Sequence, residues 1–176
     1  AEYGYSYLGY RRLAQLFDAH SPDILYERYN LFYHAGGWLK RRKNLPLILE
    51  VNAPLAAERA AHGDLSLKAF ARKSEAAIWR SADMVLPVTN VLGSQILAAG
   101  VDPAKVMTIQ NGVDDDFLQS HDASIVRDRY GLSDKLVLGF TGFVREWHGV
   151  DQIIRFLAQS PRDDLHLLVV GDGPAP

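Results

Sequence analysis

The sequence contains no cysteine in 176 residues. Disulfides, thiolate nucleophiles and cysteine-based zinc sites are therefore excluded. No apolar run approaches the roughly 18 residues that a membrane-crossing helix needs. Neither sign of charge dominates: 19 Lys plus Arg stand against 21 Asp plus Glu, a net charge of -2. A general nucleic-acid surface needs a concentrated basic footprint, so no nucleic-acid partner is expected. No two histidines stand at metal-ligand spacing on a helical stretch, and no metal site is expected. No basic stretch precedes an apolar core at the start, so no signal peptide is read there. Long repeats and low-complexity tracts are missing too.

What remains has a globular composition, with 48% hydrophobic and 23% charged residues; extensive disorder is not expected. Tyrosines at 3, 5, 7 and 10 read as one face of a helix, or else as a sugar-stacking surface. Residues 11–19 read as helical, with Leu13, Leu16 and Phe17 on one side. An alternation then begins. Short apolar runs at 24–26, 46–51, 84–88, 106–109, 136–141 and 165–170 read as strands. Helical patterns lie between them at 31–42, 65–80, 91–99, 123–130 and 150–159. Asp64 is the expected N-cap of the 65–80 helix, whose apolar stripe is Leu67, Phe70, Ala71, Ala77 and Ile78. Thr89-Asn90 caps the next helix, which Gly100 stops, and Gly131 closes the one after. Strands of four to six residues alternating with helices of about ten indicate an α/β fold with parallel sheets. Their near-continuous apolar character is that of strands covered on both faces. The polar, acidic stretch 112–135, with a turn-rich loop at 111–116, suits a junction between two domains.

In open parallel sheets, ligands bind beyond the carboxyl ends of the strands. That rule picks out Glu27, Arg28 and Asn30 after the first run, then Glu50 and Asn52, with Glu58 and Arg59 further on. It also picks Thr89, Asn111 and Gly112, then Thr141, Gly142, Arg145 and His148, and finally Gly171, Asp172 and Gly173. Plainer readings stand beside these. Glu27 and Arg28 form a local ion pair; Asn52 before Ala53-Pro54 shapes a turn; Asn111-Gly112 is a turn dipeptide; Glu58 and Arg59 are surface. The basic run 40–43 either sits at a solvated helix C-terminus or meets an anionic membrane face. Around 139–151 a strand enters a glycine, a loop carries Arg145 and His148, and Gly149 opens a helix. A helix N-terminus with nearby cations is an anion site suited to phosphate.

The runs VLPVTNVL, VMTIQNGVDDDF, LVLGFTGFVREWHGVDQII and LHLLVVGDGP, in this order, resemble the GT-B glycosyltransferases of family 4. PDILYERYNLFYHAGGWL and PLILEVNAPLA also resemble the second half of that family's N-terminal domain. The resemblance covers roughly 22–176. It implies two Rossmann-like parallel-sheet domains, both incomplete here: an acceptor-side part over 1–117, a connection at 118–134 and the start of a donor-side domain at 135–176. It implies a retaining transferase, of hexosyl type, that uses a nucleotide-sugar donor and a glycan, lipid or small-molecule acceptor. Neither metal nor cofactor is implied. The setting is cell-envelope or polysaccharide synthesis in the cytoplasm, with contact at the inner membrane face an open possibility.

By the same resemblance, Arg145 and His148 are catalytic, stabilising charge on the leaving diphosphate. Gly142, Gly149, Asn111, Gly112, Gly171, Asp172 and Gly173 bind the donor. Arg28, Glu50, Asn52, Glu58 and Arg59 orient the acceptor or sugar. Three positions depart from the family pattern: Phe143 stands where an Arg is common, His148 where a Lys is common, and Asn52 where many members place a His. Asn52 is no base, so a catalytic-histidine mechanism is not implied. The family's early glycine-rich loop and its late glutamate motif are not in these residues. Ala1 and Pro176 are therefore expected to be cuts through a longer chain, inactive as it stands. The competing class is a non-catalytic, two-lobed α/β protein that binds a sugar or anion.

Overall fold

A computed structural model describes residues 2–61 and 65–174. The chain divides into two compact units, Ala1–Val113 and Asp114–Pro176. In the first, helix α1 (Glu2–His20) precedes strand β1 (Leu25–Arg28), helix α2 (Ala35–Lys43) and strand β2 (Leu47–Val51). Helices α3 (Leu55–Ala61) and α4 (Lys68–Ser81), strand β3 (Met84–Pro87) and helix α5 (Asn90–Ala98) follow. The strands pair in parallel in the order β1-β2-β3. Leu25 stands opposite Leu47, and Ile48 opposite Met84. With this straight order, right-handed crossovers place α2 and α3–α4 on one face of the sheet.

That face holds the core. Leu47, Leu49, Val51 and Val85 pack with Ile78 and Trp79 of α4 and Leu92 and Ile96 of α5. The other face is only half covered among the described residues, where Tyr26 is 57% exposed. β2 accordingly alternates buried and half-buried positions instead of being buried throughout. The expected strand at 106–109 is reduced to a single bridge from Val106 to Val85. Its amides still extend the ladder, Met107 donating to the Val85 carbonyl at 3.1 Å and Ile109 to that of Pro87 at 3.0 Å.

Helix positions depart from expectation where tertiary contacts intervene. Asp64 lies outside the described residues, and α4 begins at Lys68 with Leu67 at its N-cap. Its buried stripe is Ala71, Ser74, Glu75, Ile78 and Trp79, while Leu67, Phe70 and Ala77 are exposed. Polar Ser74 and Glu75 enter the stripe because each has a partner: Ser74 meets His34 Nε2 at 2.9 Å, and Glu75 accepts from the Tyr29 hydroxyl at 2.8 Å. Helix α3 lies where the sequence pattern indicated no element. Thr89 caps α5 as expected, accepting from the Leu92 amide.

The basic run at 40–43 divides in two. Lys40 bonds Asp83 at 2.6 Å and the Ser81 carbonyl at 2.9 Å. Lys43 bonds Asp18 at 2.6 Å and lies over the Phe17 ring. Arg41 and Arg42 are exposed.

In the second unit, helix α6 (Ser124–Tyr130) ends on Gly131 in the left-handed conformation. Strands β4 (Leu136–Thr141) and β5 (Leu165–Val170) pair in parallel, joined through helix α7 (Val150–Gln159). These three elements have the residue bounds the sequence pattern indicated. Their surfaces do not fit strands covered on both faces, since Leu136 is 52% and Val170 57% exposed. Residues 111–114 run without a turn into a 3-10 turn, Asp115–Leu118, capped by Asp114.

Successive strand residues face opposite ways, so Glu27 cannot pair with Arg28 across β1. Glu27 instead turns toward the start of α2, where the Gly36 amide bonds it; burial outweighs that bond and pushes its carboxyl up to about 7. A Cβ at Gly36 would strike this carboxylate. In the unfolded chain Glu27 ionises near its ordinary 4.5. Folding therefore binds a proton between the two values. This stabilising contribution is complete below about pH 4.5 and is lost as pH rises through 7. Glu27→Gln should flatten the corresponding fall in melting temperature; thermal unfolding with an unchanged slope over that window would refute the assignment.

Candidate functional site

In the first unit, polar side chains gather at the carboxyl edge of β1 and β2. Glu50 is the centre. One carboxylate oxygen accepts from the Tyr26 hydroxyl at 2.7 Å, and the other from Asn52 Nδ2 at 2.6 Å. Arg28 Nε lies 3.9 Å away on a side chain 75% exposed. The Tyr26 bond first, then the Asn52 bond and the Arg28 charge, hold Glu50 below the usual carboxylate range. Its carboxylate is thus an ionised acceptor for hydroxyl groups and a poor base at neutral pH. Tyr26 and Glu50 line a cavity of about 200 Å³ with Leu86, Val88, Asn111 and Gly112. Asn52 therefore orients a carboxylate, beyond shaping a turn. Tyr26 was not singled out from the sequence, although its register one residue ahead of Glu27 places it on the face of Glu50.

Glu58 and Arg59 do not join this group. Both ride on α3, with Glu58 exposed and Arg59 half-buried. Arg59 lines a separate hollow of about 330 Å³ with Tyr5, Asn30, Leu31 and Tyr33.

In the second unit, the loops after β4 and β5 extend the parallel ladder. Gly142 donates its amide to the Val170 carbonyl at 3.0 Å, and Val144 to that of Asp172 at 2.7 Å. A Cβ on Gly171 would land on the Gly142 backbone, and one on Gly173 on that of Val144. The two glycines thus permit backbone contact between loops. Asp172 accepts from the Gly173 amide at 2.7 Å. Beyond this contact, the Arg145 guanidinium lies 4.6 Å from the Phe143 ring centroid and 5.5 Å from that of Trp147. Phe143, where the family commonly has Arg, serves here as a platform for the neighbouring Arg145. His148 Nδ1 accepts from the Arg145 amide at 3.1 Å, which places the ring proton on Nε2. Its ring rests 5.2 Å from that of Phe140.

Gly149, with φ 66°, turns the chain into α7. A cavity of about 380 Å³ opens there, lined by Arg145, Glu146, Asp151, Gln152 and Arg155 among others. Asp151 and Arg155 pair at 3.1 Å on its wall. The structure thus brings Arg145 to the start of α7. His148 braces the loop from behind and is not among the lining residues. Among the described residues, no group of three or more His, Asp or Glu is placed to hold a metal ion.

Two units, each with a parallel sheet and its polar groups at the carboxyl edge, define a Rossmann-like α/β protein of the GT-B type. Comparison with known proteins agrees. The sequence model of Glycosyltransferase Family 4 matches residues 1–117, and the chain belongs to that family. A D-inositol 3-phosphate glycosyltransferase of Catenulispora acidiphila is 30% identical over 154 residues, covering 82% of this chain and 36% of the relative. The enzyme of the same name from Mycobacterium tuberculosis is 29% identical over 164 residues, 89% of this chain and 33% of its own. The chain therefore spans about a third of the length of these curated relatives. Among solved structures, Anabaena Alr3699/HepE in complex with UDP-glucose matches with TM-score 0.72 at 20% identity, over 93% of this chain and 43% of that one. Staphylococcus aureus MnaA with UDP matches at TM-score 0.59 and 19% identity, over 97% and 47%. These likenesses show the fold.

Gly171→Ala combines a positive φ of 150° with a backbone collision. It should destabilise the protein by about 1–3 kcal/mol. Gly112→Ala meets nothing within 4 Å, and should change stability by less than about 0.5 kcal/mol. Urea unfolding of the two variants side by side checks the contrast.

Proposed function

We propose that the full protein transfers a hexosyl group from a nucleotide-sugar donor to an acceptor hydroxyl. One observation carries this reading: a guanidinium, Arg145, is held over two aromatic rings at the start of α7, on the wall of a cavity large enough for a diphosphate. As the glycosidic bond breaks, negative charge grows on the leaving diphosphate. A guanidinium stabilises that charge most when it is already in place, since no reorganisation is then needed. The amides that open α7 add the positive end of the helix dipole. His148 acts through the loop that presents Arg145 and is assigned a positioning role. Gly142, Gly149, Gly171, Asp172 and Gly173 shape the donor loops.

Glu50, oriented by Tyr26, Asn52 and Arg28, accepts hydrogen bonds from acceptor or sugar hydroxyls, and Asn111 and Gly112 line the same cavity. Arg145 and the helix amides supply the positive charge, so the reaction is proposed to need no metal. Retention at the anomeric carbon is inferred from the family. That HepE binds UDP-glucose supports a nucleotide-sugar donor here. Because the chain spans about a third of its relatives, turnover is assigned to the full protein and not to these 176 residues. A cytoplasmic setting follows from the supply of such donors.

The exposed Arg41 and Arg42 lie beside Tyr7, Tyr10 and Trp38 around an open hollow of about 390 Å³. Cations next to interfacial aromatics suit an anionic phospholipid surface, and this face is proposed as the membrane contact. Replacing both arginines by Glu should abolish cosedimentation of the full protein with phosphatidylserine-containing vesicles; unchanged cosedimentation would reject the contact.

Arg145→Ala in the full-length enzyme should lower transfer from its donor, found with a panel of nucleotide sugars, at least tenfold. An unchanged rate would remove Arg145 from the site. Absence of nucleotide-sugar binding and turnover across the panel would refute the transferase reading itself.

A further inference from the structure

The turn between β4 and α7 closes on itself through one side chain. Arg145 and His148 bond each other twice. The His148 amide donates to the Arg145 carbonyl at 3.0 Å, and the Arg145 amide donates to His148 Nδ1 at 3.1 Å. Arg145 is extended, with φ -124° and ψ 157°, directly before the 3-10 turn Glu146–His148. Both polar groups of its backbone are thus held by a single residue. The chain before it is held as well, since Val144 donates to the Asp172 carbonyl at 2.7 Å. The pattern is that of a capping box, in which a side chain three residues inside a turn reaches back to the amide at its start. Glutamate or glutamine ordinarily supplies the accepting oxygen. Here an imidazole nitrogen does.

An imidazole nitrogen accepts only while it carries no proton. Protonation of Nδ1 would set its N–H against the Arg145 N–H and open the turn. The ring itself packs on Phe140 of β4, with centroids 5.2 Å apart, and edge-on against Trp147 at 5.9 Å. The charged groups Arg145, Glu146, Asp151 and Arg155 line the cavity at the start of α7, and His148 does not. Arg155 is engaged by Asp151 at 3.1 Å. The geometry therefore separates the two residues: one holds the turn, and the other faces an anion.

We propose that His148 is a positioning residue that works as a neutral hydrogen-bond acceptor: its Nδ1 sets the backbone of Arg145, and Arg145 alone of the pair brings charge to the leaving diphosphate. This role rests on the transferase reading, since a donor diphosphate is the charge that Arg145 meets. Position 148 then requires an acceptor at the reach of Nδ1, and a cation there does not replace it. Asn Oδ1 stands as many bonds from the backbone as His Nδ1, and Gln Oε1 one bond further. Lys has three donors and no acceptor.

The test measures transfer by the full-length protein, from the donor that a nucleotide-sugar panel identifies, with kcat and donor KM taken separately. His148→Ala and His148→Lys should each lower kcat at least fivefold. At least one of His148→Asn and His148→Gln should recover it to within threefold of the unsubstituted protein. In an Arg145→Ala background, His148→Ala should cost less than a further twofold, because the group it positions is gone. A His148→Lys rate at or above the unsubstituted one overturns the proposal. So does failure of both amide variants to recover, or full addition of the two alanine effects. If His148→Ala does not fold, the Lys and amide variants decide. Nitrogen-15 spectra of the histidine rings at about pH 7.5 need no turnover. The signal lost in His148→Asn should come from a ring with its proton on Nε2 and a bare Nδ1; a ring protonated on Nδ1, or on both nitrogens, overturns the proposal. Absence of turnover across the panel, with Nδ1 bare, refutes the transferase reading and spares the brace.

Discussion

The first unit is organised around one buried carboxyl group. Glu75 on α4 accepts from the Tyr29 hydroxyl at 2.8 Å and from the Ala56 amide at 3.1 Å. Those partners lie just past β1 and in the first turn of α3. A single side chain therefore joins the strand edge to two helices. Burial pushes the Glu75 carboxyl up, and the Ala56 and Tyr29 bonds work against that. Leaving either partner unbonded in the interior would cost about 1–3 kcal/mol. The neighbouring Ser74 bonds His34 and secures the start of α2 in the same way. The candidate residues Asn30 and Asn52 on loops, and Arg59 on α3, lie next to the points that this network ties down.

This dependence explains which parts of the architecture were legible from sequence. In the second unit, β4, α7 and β5 follow local hydrophobic pattern, and the bounds read from sequence agree with the structure. In the first unit, position is settled by contacts distant in sequence. Helix α2 begins at Ala35 and not at 31 because residues 30–34 form a loop gripped by Ser6. Helix α3 was hidden because Asn52-Ala53-Pro54 reads equally as a turn or as a helix start. The stripe of α4 was misplaced because Ser74 and Glu75 look like surface residues until their buried partners are known. Hydrophobic pattern records which face is apolar. It does not record which polar residue has found a partner inside.

The candidate site shows the same division. The carboxyl-edge rule found Glu50, Asn52, Asn111, Gly112 and Arg145 without a structure. It could not find Tyr26, because a strand tyrosine carries no polar signature in sequence, yet the alternation of β1 places it beside Glu50. It grouped Arg59 with Glu50, whereas α3 carries Arg59 to another hollow. The family resemblance gave Arg145 and His148 one shared role; in the structure Arg145 lines the cavity, while His148 is not among the lining residues and accepts from the Arg145 amide.

The seat of Arg145 on Phe143 couples two positions that a sequence comparison would treat one at a time. Phe143 stands where the family resemblance places a cation, and the guanidinium two residues along rests on its ring. Replacing Phe143 by Arg would remove that support and bring a second positive charge against the first. Residues in such contact respond non-additively to substitution, so the side chain at 143 sets what a change at 145 costs.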